Sequence, residues 1–188
     1  MLRVIHIVAE KKLDPNGNEP LWVLDMSGMG GTSNIARLAS ASFMSAYNSF
    51  ISAMAKIYDE NNGAIGNRFD ALQKGKQDTA DIFKNLGKEI KIVVPPRGGN
   101  ERFSMSESVA RYLVLALVEP GTKITFDSFL RRLYDHYRMV IGPEQYRKAL
   151  DAGNWKAGEN MTDYFEINAR CLNTLLCYTI NCLTKKRR

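Results

Sequence analysis

The sequence predicts a mainly helical α+β protein, and three observations carry that prediction. Apolar residues recur at three- and four-residue spacing through most of the chain after residue 33. Two runs rich in β-branched and apolar residues, 3–10 and 21–26, stand near the N-terminus with Asp14-Pro-Asn-Gly-Asn-Glu-Pro20 between them. Proline fixes φ, and Asn and Gly tolerate positive φ, so that stretch predicts the turn of a hairpin. Proline and glycine then punctuate the boundaries of the periodic segments.

The elements follow in order. Ser27-Gly-Met-Gly-Gly31 breaks the chain after the hairpin, and Thr32, Ser33 and Asn34 are suitable helix caps. A long helix is expected over 33–58. Ile35, Leu38, Ala39, Phe43, Ala46, Tyr47, Phe50, Met54 and Ile57 keep its period, and Arg37 and Lys56 are its only charged side chains. A surface helix ordinarily shows a charged face. This one is expected to be buried on several sides, or covered by another subunit. Residues 65–86 form an amphipathic segment around Phe69, Leu72, Ala80, Ile82, Phe83 and Leu86, with Gly75 as a point of interruption, and 89–94 suit a short strand.

Pro95-Pro-Arg-Gly-Gly-Asn100 has the composition of a linker, stiff prolines followed by flexible glycines. It divides the chain into a hairpin and long-helix subdomain (1–94), a linker (95–101) and a helical subdomain (102–188). Ser104-Met-Ser-Glu107 matches the Ser-x-x-Glu capping box. The helix it opens, 105–118, is nearly all apolar in its second half and is expected at the centre of the second core. Pro120-Gly121 stops it. Thr125 or Asp127 caps the next helix, whose apolar side is Phe126, Phe129, Leu130, Leu133, Tyr134 and Tyr137. Val140-Ile-Gly142 closes that helix. Pro143 suits a first helical position, where its missing N–H costs nothing. A short helix over 143–150, a polar loop over 151–160 and a last helix over 162–185 complete the chain.

Composition bounds the function. The 188 residues carry a formal charge of +6, with 45% hydrophobic content. Residues 1–100 hold 12 basic and 10 acidic side chains, residues 101–184 hold 10 of each, and Lys185, Lys186, Arg187 and Arg188 supply the remaining excess. Basic excess favours an acidic partner such as nucleic acid. Cys171, Cys177 and Cys182 are odd in number and follow no signal-peptide pattern, which predicts free thiols and a cytoplasmic setting. No stretch has the roughly 18 consecutive apolar residues of a membrane span, so no membrane partner is expected.

Residues 122–150 read as helix, short turn, short helix, preceded by another helix, which is the order of a helix-turn-helix core. In that arrangement the second helix of the pair enters the major groove. Here it offers Gln145, Arg147 and Lys148 beside Glu144, and Gln and Arg are the side chains able to bond adenine and guanine edges in pairs. Arg131, Arg132 and Arg138 on the preceding helix suit phosphates, and the tail adds nonspecific attraction.

The phrase Phe129-Leu-Arg-Arg-Leu-Tyr-Asp-His-Tyr-Arg-Met-Val-Ile-Gly-Pro143 resembles winged-helix and helix-turn-helix segments of bacterial defence-associated proteins, over residues 122–183. The resemblance implies a DNA-binding unit of an antiviral assembly. The chain departs from that pattern after the last helix, where there is no room for a β-wing.

Other motifs predict less. Val23-Leu-Asp-Met-Ser-Gly-Met-Gly-Gly31 is similar to the metal-binding strand end of von Willebrand factor A-type domains, with Asp25 and Ser27 in matching places. Met29 stands where a second serine belongs, and a thioether is a poor ligand for a hard cation, so no metal is expected. The same glycines match neither phosphate-loop nor dinucleotide fingerprints, so no cofactor is expected. The cysteines lack paired spacing; Cys171, Leu175, Tyr178 and Cys182 share a helical face, which predicts packing. His6 and His136 are the only neutral-pH bases, and neither stands in a catalytic pattern.

The expected function is a non-enzymatic nucleic-acid-binding subunit of a larger bacterial assembly, with DNA ahead of RNA. The first alternative is an interaction or scaffold subunit that meets other proteins, or itself, through the charge-poor helix 33–58. The second is an enzyme of unassigned chemistry.

Overall fold

The computed structural model describes residues 11, 21–28, 33–60, 67–151 and 161–185, with side chains as far as residue 177. It is a mainly helical α+β fold. A short strand β1 (Trp22–Val23) leads to α1 (Asn34–Glu60). α2 (Arg68–Gly75) runs through a π-helical turn (Lys76–Asp81) into α3 (Ile82–Glu89). β2 (Val93–Val94) and β3 (Arg102–Phe103) follow, then α4 (Glu107–Leu117) and α5 (Phe126–Tyr137). β4 (Met139–Val140), α6 (Pro143–Asp151) and α7 (Met161–Lys185) complete the order.

β1 pairs in parallel with β4, Trp22 opposite Met139 and Val23 opposite Val140. The sequence did not predict β4. It exists because Arg138 ends α5 in the left-handed region (φ 55) and turns the chain back beside Trp22, whose N–H donates to the Arg138 carbonyl at 2.9 Å. The expected partner of 21–26, the run 3–10, lies outside the described residues. β2 and β3 pair antiparallel, Val93 opposite Phe103. Residues 95–101, expected as a linker, are the connection of this hairpin. Gly87 lets the hairpin approach α3, since a Cβ there would lie 2.5 Å from Val93 Cγ2.

The aromatic centre of the core lies where α1 crosses the strands. Trp22 stacks on Phe103 at 4.8 Å, and Phe43 meets Phe103 edge-on at 5.6 Å. Phe83 of α3 closes on Phe50 at 5.0 Å. Residues from both sides of 95–101, including Phe43, Phe83, Phe103, Leu113, Leu130 and Leu172, form one buried cluster. A second cluster joins Val23, Ile35, Tyr134, Tyr146 and Phe165, with Tyr146 stacked on Phe165 at 4.5 Å.

Three local expectations change. α1 buries a single broad face rather than several. Ala41, Met44, Ser45, Asn48 and Ser52 are exposed on the other side. Two serines of this helix bond neighbouring backbone. Ser42 Oγ accepts from Val23 N at 3.2 Å and donates to the Leu21 carbonyl at 2.8 Å, and Ser40 Oγ donates to the Glu101 carbonyl at 2.9 Å. The capping box at Ser104 is not formed. Ser104 Oγ donates to the Asp25 carbonyl at 2.7 Å, and Ser106 caps α4 instead, accepting from Val109 N at 3.3 Å. Gly75 does not break its helix; the chain continues through a π turn, a rare element found mostly as a single turn inside α-helices.

Candidate functional site

The predicted cationic residues sit on α5, α6 and the bend between them. Thr125 caps α5, its hydroxyl accepting from Ser128 N at 3.2 Å. Phe129, Leu130, Leu133 and Tyr134 bury one side of that helix. Pro143 opens α6 as expected, and Gln145, Tyr146 and Ala149 form its buried side against α7.

This placement sorts the candidates. Arg131 and Arg147 are exposed. Arg138 and Lys148 come together on one aromatic ring: Arg138 Cζ lies 5.5 Å, and Lys148 Nζ 5.7 Å, from the centre of Tyr134. The negative face of the ring attracts both cations. Lys148 also pairs with Glu144 one turn back, at 3.3 Å.

Two candidates are turned to other tasks. Arg132 Nη1 donates to the carbonyl of Leu117, the last residue of α4. A cation at a helix C-terminus satisfies an orphan carbonyl and the helix dipole, so Arg132 ties α5 to α4. Gln145 is 2% exposed, and its Oε1 accepts no hydrogen bond from the described residues. It cannot meet a base edge, which corrects the expectation for that side chain. The physical reason is phase: with Tyr146 and Ala149 turned inward, position 145 falls on the same side of α6. Lys185 ends α7, with its side chain outside the described residues together with Lys186, Arg187 and Arg188.

Asp25, the residue of the metal-like motif, is in a buried polar knot. Its side chain is fully buried, and Oδ2 pairs with Arg102 Nε at 2.9 Å. Oδ1 accepts from Ser27 N at 2.9 Å and Ser27 Oγ at 2.6 Å. Asp25 N donates to the Phe103 carbonyl at 2.9 Å. Asn168 of α7 completes the knot. Its Nδ2 donates to the Leu24 and Ile141 carbonyls at 2.8 and 3.0 Å, and its Oδ1 accepts from Met26 N at 2.6 Å. The guanidinium of Arg102 is thus the cation paired with Asp25. Asn168 satisfies backbone groups of β1 and β4 beyond their short ladder, a demand that burial makes strict.

Groups with shifted pKa values lie elsewhere, on α1, in the π-helical turn and just before β3. The Tyr47 hydroxyl donates to Asp81 Oδ1 at 2.9 Å and is pushed up to about 12, first by burial and then by that carboxylate. Lys84 holds the Asp81 carboxyl below its ordinary value, and Lys88 does the same for Glu101. These pairs fasten helices and hairpin. His136 is exposed, Cys171 is half-buried and Cys177 exposed, each thiol free.

The sequence did not reveal the apolar face of α4. Tyr112 is 68% and Leu115 78% exposed, where a central helix was expected. Only Ala110 and Leu113 of α4 are buried. Among the described residues no helix is long and apolar enough to cross a membrane. No family model matches the chain, and neither the curated proteins nor the solved structures hold a significant match to it.

Proposed function

We propose that the protein is a non-enzymatic, cytoplasmic subunit that holds nucleic acid through its phosphates rather than by reading bases. The supporting observation is the convergence of Arg138 and Lys148 on Tyr134, with Arg131 and Arg147 exposed on the two helices that meet there. The burial of Gln145 removes the side chain best suited to adenine and leaves guanidinium and ammonium groups, which attract phosphate whatever the sequence. The resemblance of 122–183 supports a bacterial defence assembly as the setting, with DNA ahead of RNA.

The salt dependence follows. Two to four phosphate contacts lower affinity roughly ten- to a hundredfold between 50 and 200 mM salt. Fluorescence anisotropy with labelled duplexes of unrelated sequence is expected to give similar affinities for each. The exposed double variant Arg131→Glu/Arg147→Glu is expected to lose more than tenfold and to flatten the salt slope. Equal binding by wild type and variant at every salt concentration removes α5 and α6 from the function.

A protein-contact reading through α1 is second. It is favoured by the uncharged exposed stripe Ala41, Met44, Ser45, Asn48 and Ser52.

A further inference from the structure

We propose that the small cleft between the start of α1 and the end of the β2–β3 connection binds a phosphate monoester group. The cleft has a volume of about 280 Å³, and its polar lining is Arg37, Ser40, Asn100 and Arg102. No carboxylate lines it among the described residues. Arg102 is the fixed part. Its side chain is 14% exposed, and its Nε donates to Asp25 Oδ2 at 2.9 Å. Both Nη atoms donate to no described residue. A guanidinium is a rigid planar fork, so a buried carboxylate that holds one edge also sets the direction of the other. Asp25 is locked in turn by Ser27, whose N–H and hydroxyl both donate to Oδ1. An anion that enters therefore meets donors that are already ordered, which lowers the entropy lost on binding.

Asp25 offsets the charge of Arg102, so the unmatched charge of the cleft belongs to Arg37, which is exposed and pairs with no described residue. Asn100, held at φ 61, adds a side-chain amide with no described partner. The Ser40 hydroxyl is already donated to the Glu101 carbonyl at 2.9 Å, and it pins the hairpin connection against α1. The donors thus come from three segments of the chain. A planar carboxylate is filled by the fork of one guanidinium, whereas the terminal oxygens of a phosphate monoester point in three directions. A diester within a nucleic-acid strand lacks the third of those oxygens, and the inference does not rest on the cations of α5 and α6. The volume lies just below the roughly 300–1,000 Å³ of pockets for larger ligands. A phosphate therefore enters with a small organic part at most, against Ala36 and Met44. Its source is either a free small phosphate ester or the phosphorylated end of a strand.

Calorimetric titration of the full chain with inorganic phosphate in a chloride buffer tests the cleft. Wild type is expected to show one saturable site. Arg37→Gln is expected to weaken binding about tenfold, with an unchanged circular dichroism spectrum because the side chain is exposed. Asn100→Gly keeps the left-handed backbone and removes the amide, and it is expected to weaken binding about threefold. Arg97→Gln, exposed in the same connection but outside the cleft, is expected to change nothing. Two further arms use the Arg131→Glu/Arg147→Glu protein, so that α5 and α6 do not contribute. Tighter binding of a 5′-phosphorylated oligonucleotide than of its unphosphorylated twin identifies a strand end. Tighter binding of ribose 5-phosphate than of either oligonucleotide identifies a small ester. A wild type without saturable phosphate binding overturns the proposal, and so does equal binding by wild type and Arg37→Gln. A loss with Arg97→Gln as large as that with Arg37→Gln also overturns it, because the attraction is then diffuse.

Discussion

α1 and α4 both carry few charged side chains, and the fold treats them in opposite ways. α1 buries ten residues, most of them Ala or Ser, beneath the strands and α3. α4 is richer in large apolar residues, yet it buries only Ala110 and Leu113. Small side chains are what allow β1 and β3 to come close to α1, with Ser42 bonding the edge of β1 directly. α4 packs on α5 and α7, while Tyr112 and Leu115 stay exposed. Hydrophobic composition sets what a helix gains from being covered. The neighbours stacked on it set which face is.

The contrast can be broken or sharpened by measurement, from the core outward. Phe43→Ala empties the site where α1 meets Phe103, and it is expected to lower the unfolding free energy by about 3–5 kcal/mol in urea titration. A loss near that of a surface substitution would show that α1 is not the packed helix described. The next effect is pH-dependent. The folded Tyr47 pKa of about 12 lies above the free phenol's 10.0, so its contribution is complete below pH 10 and is lost as pH rises toward 12. Tyr47→Phe is expected to cost about 1 kcal/mol at neutral pH and to remove this part of the alkaline loss. An unaltered alkaline profile in the variant would show that the Tyr47–Asp81 bond contributes nothing. Asp81 and Glu101 have the opposite sign. Their lowered values give stability that is present at neutral pH and lost as pH falls through the carboxylate range. The smallest effect is on α4. Leu115→Ala is expected to change stability by no more than about 0.5 kcal/mol. A loss of several kcal/mol would place Leu115 in the core.

Much of the local structure was legible residue by residue. Period and cap chemistry placed α1, α5, α6 and α7 within a few residues, because Thr125 and Pro143 act on their own backbone neighbourhood. The amphipathic segment 65–86 was visible, but its apolar positions divide: Ala80 and Phe83 enter the core, while Phe69, Ile82 and Leu86 stay exposed. Spacing alone gave no sign of that division. The candidate site was legible as a set of cations and not as an arrangement. Nothing near Arg132 in the sequence names Leu117 as its acceptor, and the polarity of Gln145 concealed its burial.

Helix positions, turn chemistry and net charge were written in the order of residues, since each depends on groups a few bonds apart. The parallel pairing of Trp22–Val23 with Met139–Val140, the knot joining Asp25 to Arg102 and Asn168, and the bare side of α4 were not. Each joins, or fails to join, segments separated by tens of residues. Which of them meet depends on how all the layers stack at once, because a buried backbone group accepts whichever donor the packing brings within about 3 Å.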